Sequence, residues 1–197
     1  MRIIKTVVPM IAASAIVTTS AMSATWRMDV PHTSIGFTVT HLVVTKVHGK
    51  FDDFSGTIQF DENNMENGTI DVTIQTTSID TDNERRDNHL RSPDFFDVEN
   101  YPVMTFKSKK IVKKGDNEFE IVGDLTIRDI TKEITLNAEL NGIINDPQMG
   151  TRAGFSATGK INRMDFGVKW NKAIETGGLV VAEEVIINIE TELVKEK

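Results

Sequence analysis

Four histidines, His32, His41, His48 and His89, are the side chains of this sequence best suited to hold a metal or to move a proton near neutral pH. His41 shares the alternation phase of Phe37 and Val39, whereas His48 is out of phase with Val47 and Phe51. Alternating side chains point to opposite faces of a strand, so the two histidines should not share an ion. Asp80-Thr81-Asp82-Asn83-Glu84 opens like a calcium loop, but such a loop needs Gly at its sixth position and Glu at its twelfth, where this chain has Arg85 and Arg91. Asp87 and His89 could form an acid-base pair, yet no Gly-x-Ser-x-Gly segment supplies a nucleophile. Asp165-Phe166-Gly167 spells a kinase tripeptide without the glycine-rich and catalytic loops that give it meaning, and reads as a turn. The chain has no cysteine, which excludes thiolate metal sites, iron-sulfur clusters, disulfides and thiol nucleophiles together. No catalytic residue, metal site or cofactor is expected.

The elements that hold these residues are mostly strands. From residue 34 onward the apolar period is two, the mark of half-buried β-structure. Ile35, Phe37 and Val39 share one face, and Ile134, Leu136, Ala138 and Leu140 alternate with Glu133, Thr135, Asn137 and Glu139. Phe155, Ala157, Gly159 and Ile161, then Val185, Ile187, Ile189 and Leu193, complete about eight runs. Between Val47/Phe51 and Phe54/Ile58 the inward parity switches, which predicts a bulge at Asp52-Asp53 that bends the strand. Alternation stops between Ile79 and Pro102, where a short helical insertion is expected near residues 82–97 with Asp82 as its cap and Ser92-Pro93 starting a second turn. Within it, Arg85/His89 and Asp87/Arg91 are spaced i, i+4 and read first as mutual support. His89 and Arg91 are also the candidates for contact with a polar head group.

These runs predict an all-β fold, an antiparallel eight-stranded barrel roughly 25–35 Å deep, given ~3.3 Å per residue and ~40° strand tilt. Eight strands leave an interior that is either filled by side chains or just able to hold one ligand. Gly123, Ala138, Ala153, Ala157 and Gly159 fall on inward parities, which favours a cavity. Phe37, Val39, Leu125, Leu136, Phe155, Ala157 and Ile187 are its expected wall, with Leu90, Phe95 and Phe96 closing the mouth.

With 197 residues, 39% hydrophobic and 26% charged, the chain has the composition of one globular domain. Met1-Arg2-Ile3-Ile4-Lys5, an apolar stretch from Thr6 to Val17 and small residues up to Ala24 form a bacterial export signal over residues 1–24. Its apolar stretch is shorter than the ~20 residues a spanning helix needs. A periplasmic domain over residues 25–197 follows. The net charge of −7 argues against nucleic acid as a partner and would also repel the molecule as a whole from anionic bilayers.

The residues also match a known pattern. Asp29, His32, Ser34, Phe37 and His41 open it, followed by Val47-His48-Gly49-Lys50-Phe51 with Phe54 and Gly56. Its centre is Thr77-Ser78-Ile79-Asp80-Thr81, Arg86-Asp87-Asn88-His89-Leu90-Arg91-Ser92 and Asp94-Phe95-Phe96-Asp97. Tyr101-Pro102, Thr105-Phe106, Gly123-Asp124-Leu125-Thr126 and Arg163-Met164-Asp165-Phe166-Gly167 complete it. In these segments the chain resembles the YceI-like family of exported bacterial proteins. The resemblance implies a lipocalin-like barrel, periplasmic residence, and an apolar interior that binds a long isoprenoid or other long-chain lipid, with no catalytic residues. Val181-Ala182-Glu183-Glu184 departs from it, lacking the glycine often found before the last strand. The alternatives are a secreted enzyme acting on a lipid or isoprenoid, and an outer-membrane barrel. The second needs lipid-facing apolar bands and aromatic girdles, for which one Tyr and two Trp are too few.

Overall fold

A computed structural model of the chain describes residues 23–173 and 179–197. Most of the expected export signal, residues 1–22, lies outside the described residues, and its last residue, Ala24, is the first of a strand. The strands are β1 (Ala24–Met28), β2 (Ser34–His41), β3 (Thr45–Phe51), β4 (Phe54–Asp61), β5 (Asn64–Gln75), β6 (Ile79–Asp80), β7 (Val103–Lys113), β8 (Glu118–Ile127), β9 (Ile130–Asp146), β10 (Gly150–Asn162) and β11 (Val181–Lys195). One helix, α1 (Glu84–Arg91), interrupts them.

Every pairing is antiparallel, and the eleven pieces build eight walls because three walls are broken in the middle. A 3-10 turn at Val30–His32 separates β1 from β2, yet both pair with β11. Asp52-Asp53 separates β3 from β4, which continue along β2 and β1 in turn. The parity switch read from the sequence falls at that break, and it leaves both Phe51 and Phe54 buried. A second 3-10 turn, Thr76–Ser78, joins β5 to β6, and β6 pairs with β3. The walls then run β5, β7, β8, β9, β10, β11, and β11 meets β1 through Leu193↔Met28 and Trp26↔Lys195. The sheet is closed.

Side-chain alternation sorts the barrel into a dry inside and a charged outside. Outward positions carry cross-strand ion pairs such as Lys107 with Asp71 (3.0 Å) and Lys109 with Asp124 (2.6 Å) and Glu133 (3.2 Å). That is the reverse of a membrane barrel, whose outer band is apolar. Among the described residues, no helix is long and apolar enough to cross a membrane. Trp26, fully buried, stacks on Phe60 at 4.4 Å and donates its indole N–H to the Phe60 carbonyl (3.3 Å). Phe60 meets Phe155 edge-on at 5.8 Å, so aromatic rings floor this end.

The helical insertion differs in detail from the expectation. Asn83, not Asp82, caps α1, its side chain accepting from the Arg86 N–H (3.0 Å). Asp82 sits at φ 58° and turns the chain into the cap instead. Ser92 ends α1, its N–H and hydroxyl both donating to the His89 carbonyl, and it also starts the expected second turn, its own carbonyl accepting from the Phe95 N–H (3.0 Å). Neither i, i+4 pair forms: His89 bonds Asp94 (2.9 Å), and Asp87 and Arg91 turn toward the barrel. Asp87 is buried and accepts from the N–H (3.0 Å) and hydroxyl of Thr81, while Arg91 donates to the carbonyls of Thr77 (2.8 Å) and Ile79 (2.6 Å).

The inward glycines are a further correction. A Cβ at Gly123 would lie 2.5 Å from Phe106 Cζ and 2.6 Å from the Lys107 carbonyl, and one at Gly159 would lie 2.6 Å from Leu136 Cδ2. Their missing side chains are therefore filled by neighbouring rings and branches and leave no open volume. Gly123→Ala should destabilise the barrel by about 1–3 kcal/mol through overpacking. Gly154→Ala, whose Cβ has nothing nearer than Asn141 Cβ at 3.7 Å, should change little. Urea denaturation of the two variants measures the contrast.

Candidate functional site

The interior is hollow. A cavity of about 280 Å³ runs between the aromatic floor and the α1 end. At ~10–15 Å³ for each water-sized sphere it has room for on the order of 20. Phe37, Val39, Leu125, Leu136, Phe155, Ala157 and Ile187 all line it, as do Leu90, Phe95 and Phe96 from the insertion. Ala138 and Ala157, paired across β9 and β10, are the small inward residues that border open space. Ala153 is fully buried in the packing near the floor and does not line the cavity.

Two aromatic chains build the mouth. Phe96 meets Phe51 edge-on at 5.8 Å, and Phe51 lies 5.9 Å from Phe37 on the wall. Phe95 leans on Trp170 at 5.3 Å, and the His89 ring stands perpendicular to both, 5.0 Å and 4.9 Å away. His89 also bonds Asp94 (2.9 Å) on the outer side of this stack. Neither His89 nor Arg91 lines the cavity, and the Arg91 donors are spent on Thr77, Ile79 and Asn88. The geometry makes both of them supports of the insertion.

The sequence reading missed Arg163. It lines the cavity, is only 5% exposed, and continues the inward odd-numbered series of β10 beyond Ile161. Its Nε donates to Ala182 O (2.9 Å), Nη1 to Val168 O (2.6 Å) and Trp170 O (2.9 Å), and Nη2 to Val181 O (3.2 Å). Burial pulls its pKa down from the ordinary value, with Glu183 acting weakly the other way. An arginine stays protonated even so, and the four carbonyls replace its lost hydration. They belong to both limbs of the segment between β10 and β11. They include the start of β11, where pairing with β2 shifts register between Val181 and Val185.

On the outer surface Asp29, His32 and Glu192 bring ligand-type atoms within 4.8 Å of one another. The cationic place among them is filled by Arg152, which donates to Asp29 (2.7 Å) and to Glu192. Arg152, and after it His32, holds the Asp29 carboxyl below its usual range against the opposing effect of burial. His48 bonds Thr38 (3.0 Å) across β2 and β3.

A family model described as the YceI-like domain matches residues 26–193, so the chain belongs to the YceI-like family. Protein YceI of Escherichia coli O157:H7 is 45% identical over 152 residues, 76% of this chain and 79% of that one. A UPF0312 protein of Photorhabdus laumondii is 44% identical over the same shares. Among solved structures, the YCEI protein of Campylobacter jejuni is similar with a TM-score of 0.70 at 38% identity, covering 80% of this chain and 90% of its own. A polyisoprenoid binding domain from Saccharophagus degradans shares the fold at 14% identity, with a TM-score of 0.63 over 87% of this chain and 98% of its own.

Arg163→Met keeps an apolar stem in the wall but strands its carbonyl partners, which should lower stability by about 1–3 kcal/mol. Chemical denaturation measures it, and Arg163→Lys should recover only part. The lowered Asp29 pKa contributes stability that is fully present above the ordinary carboxylate value of 3.8 and is lost as pH falls through the folded-state value. Asp29→Asn should therefore flatten the acid limb of the stability profile below about pH 4, as read by unfolding midpoints across pH.

Proposed function

We propose that this chain is a periplasmic binding protein that carries or stores a long isoprenoid or related lipid chain inside its barrel. The observation that carries the reading is the cavity itself, a hollow of about 280 Å³ whose described side-chain lining is apolar apart from Gln59, Arg163 and Thr191. Each methylene moved into such a wall contributes ~0.8 kcal/mol. A chain of several five-carbon units thus gains enough to hold without polar contacts. Phe37, Val39, Leu125, Leu136, Phe155, Ala157 and Ile187 are the proposed chain contacts, and Leu90, Phe95 and Phe96 shut the mouth behind it. The export signal over residues 1–24 supports the periplasmic location, and the fold shared with a polyisoprenoid binding domain supports the choice of ligand. The competing reading, an enzyme acting on a lipid, needs an acid-base pair or nucleophile beside the chain, which this wall composition does not favour.

Lipid extracted from natively purified protein and identified by mass spectrometry tests the reading. The expected result is an unaltered long apolar chain, and a cleaved or oxidised chain accumulating with time would favour the enzyme. Ala157→Trp adds an indole ring and should fill the space of about five methylene-sized groups, at ~0.8 kcal/mol each. It should weaken binding of the longest chains by more than about tenfold while the melting temperature holds. Unchanged affinity in the folded variant would refute the assignment of this wall.

A further inference from the structure

The hairpin joining β2 to β3 ends in Leu42, Val43 and Val44, which are 37%, 70% and 83% exposed. The Val44 N–H donates to the His41 carbonyl (3.1 Å), closing a turn whose two central residues both have positive φ, 50° at Leu42 and 64° at Val43. Turns of this kind favour Asn-Gly, because a branched side chain is strained at positive φ. Here the sequence places leucine and valine in that strained conformation and exposes them to water. Neither folding nor solubility accounts for the choice.

The position of the turn gives it a use. It lies at the same end of the barrel as α1 and the mouth, beyond the point where β3 has a second neighbour, since β6 reaches only Lys50 and Phe51. Along the hairpin, Phe37 and Val39 line the cavity, and Val47 pairs with Val39 on the same face. The same face continues through the paired His41 and Thr45 to the exposed tip. Leu42 is tied through its N–H to the Val180 carbonyl (2.9 Å), and the neighbouring Leu179 is itself 38% exposed. Val180 in turn donates to the Lys172 carbonyl (2.9 Å), which places that exposed lysine beside the tip.

The local charge differs from that of the molecule. From Ser34 to Phe51 the sequence has Lys46, Lys50, His41 and His48 and no acidic residue, in a chain of net charge −7. Lys50 is engaged by Asp52 (2.8 Å), but Lys46 is exposed one residue past Thr45 on the tip-proximal part of β3. Along this hairpin the fixed charge is therefore basic, opposite in sign to that of the molecule as a whole.

We propose that the Leu42-Val43-Val44 tip is a membrane-docking element: it inserts into the interface of a bilayer bearing anionic head groups, with Lys46 and Lys172 facing those head groups and the cavity mouth held against the lipid. This deepens the carrier reading and rests on it for its purpose, since a chain insoluble in water must be collected from, or delivered to, a lipid phase. An apolar tip flanked by lysines has the form of a shallow interfacial anchor, binding reversibly through a small apolar contact and electrostatic attraction.

The test uses vesicles of phosphatidylethanolamine with phosphatidylglycerol, and vesicles of phosphatidylcholine alone as the uncharged comparison. The double variant L42N/V43G installs the residues the turn prefers, so it should fold at least as stably as the parent. It should lose vesicle co-sedimentation by at least about tenfold. K46E/K172E should weaken binding to the anionic vesicles by several-fold and leave the weaker binding to phosphatidylcholine unchanged. In V44W the tryptophan emission should shift to the blue on adding anionic vesicles, beyond any change in the parent. Wild-type protein that ignores both kinds of vesicle, or L42N/V43G that binds them as well as wild type, overturns the proposal. The carrier reading fails separately: a protein that docks on vesicles yet takes up no chain refutes the carrier and leaves the docking surface standing, whereas a chain-loaded protein that never docks refutes the tip.

Discussion

The barrel closes along β11, where Leu193 faces Met28 and Ile187 faces Phe37, and this pairing turns a twisted sheet with two open edges into a container. Each strand buries one face, and the inner faces of a closed sheet can be satisfied only by one another or by a guest. Closure also uses the inter-strand N–H and carbonyl groups of the walls, so the interior need supply no polar partners. The break at Val30–His32 lets one strand serve two purposes: β1 meets the C-terminal end of β11 at the floor, while β2 follows its N-terminal part to the mouth. Everything else about the site, from the apolar lining to the placing of the insertion, presupposes that seam.

Much of this was legible because period two is the one pattern that a half-buried strand cannot disguise. Phe37, Val39, Leu125, Leu136, Phe155, Ala157 and Ile187 could be assigned to one side by parity alone, and the structure puts them on the cavity. The switch at Asp52-Asp53 was readable for the same reason. What parity could not reveal is who occupies the space it leaves. Gly123 and Gly159 point inward as expected, but Phe106 and Leu136 fill their places from adjacent strands, a cross-strand fact with no local trace. The cap of α1 was misplaced by one residue because Asp82 and Asn83 are both good caps, and only the backbone, with φ 58° at Asp82, decides between them.

Arg163 shows a different limit. Its odd-numbered place after Ala157, Gly159 and Ile161 marked it as inward, but the prior against a buried charge hid that signal. The structure resolves the conflict with backbone carbonyls in place of a carboxylate: Val168, Trp170, Val181 and Ala182 each accept from the guanidinium. A cation held by carbonyls specifies chain geometry instead of neutralising charge. The bonds to Val181 and Ala182 hold the irregular start of β11 on its path.

The two ends of the cavity are therefore built on different physics. The floor is aromatic stacking under a closed ladder, with Trp26 fully buried on Phe60 and Phe155 against it, so opening it means breaking the sheet. The mouth is loop and helix, fixed by side chains that reach backbone carbonyls. Arg91 ties α1 to Thr77 and Ile79, Arg163 ties the segments around Trp170 and Val181, and Arg128 reaches Gly167 (3.2 Å) while pairing with Asp97 (3.6 Å). Each such hydrogen bond contributes only ~0.5–1.5 kcal/mol net, and an exposed one, such as the Arg91 bond to Thr77, can be exchanged for water. Stacked rings beneath an intact ladder cannot be exchanged in that way. The same chain thus combines a base held by the sheet with a mouth held by side chains, and the inward Leu90, Phe95 and Phe96 sit on the second of these.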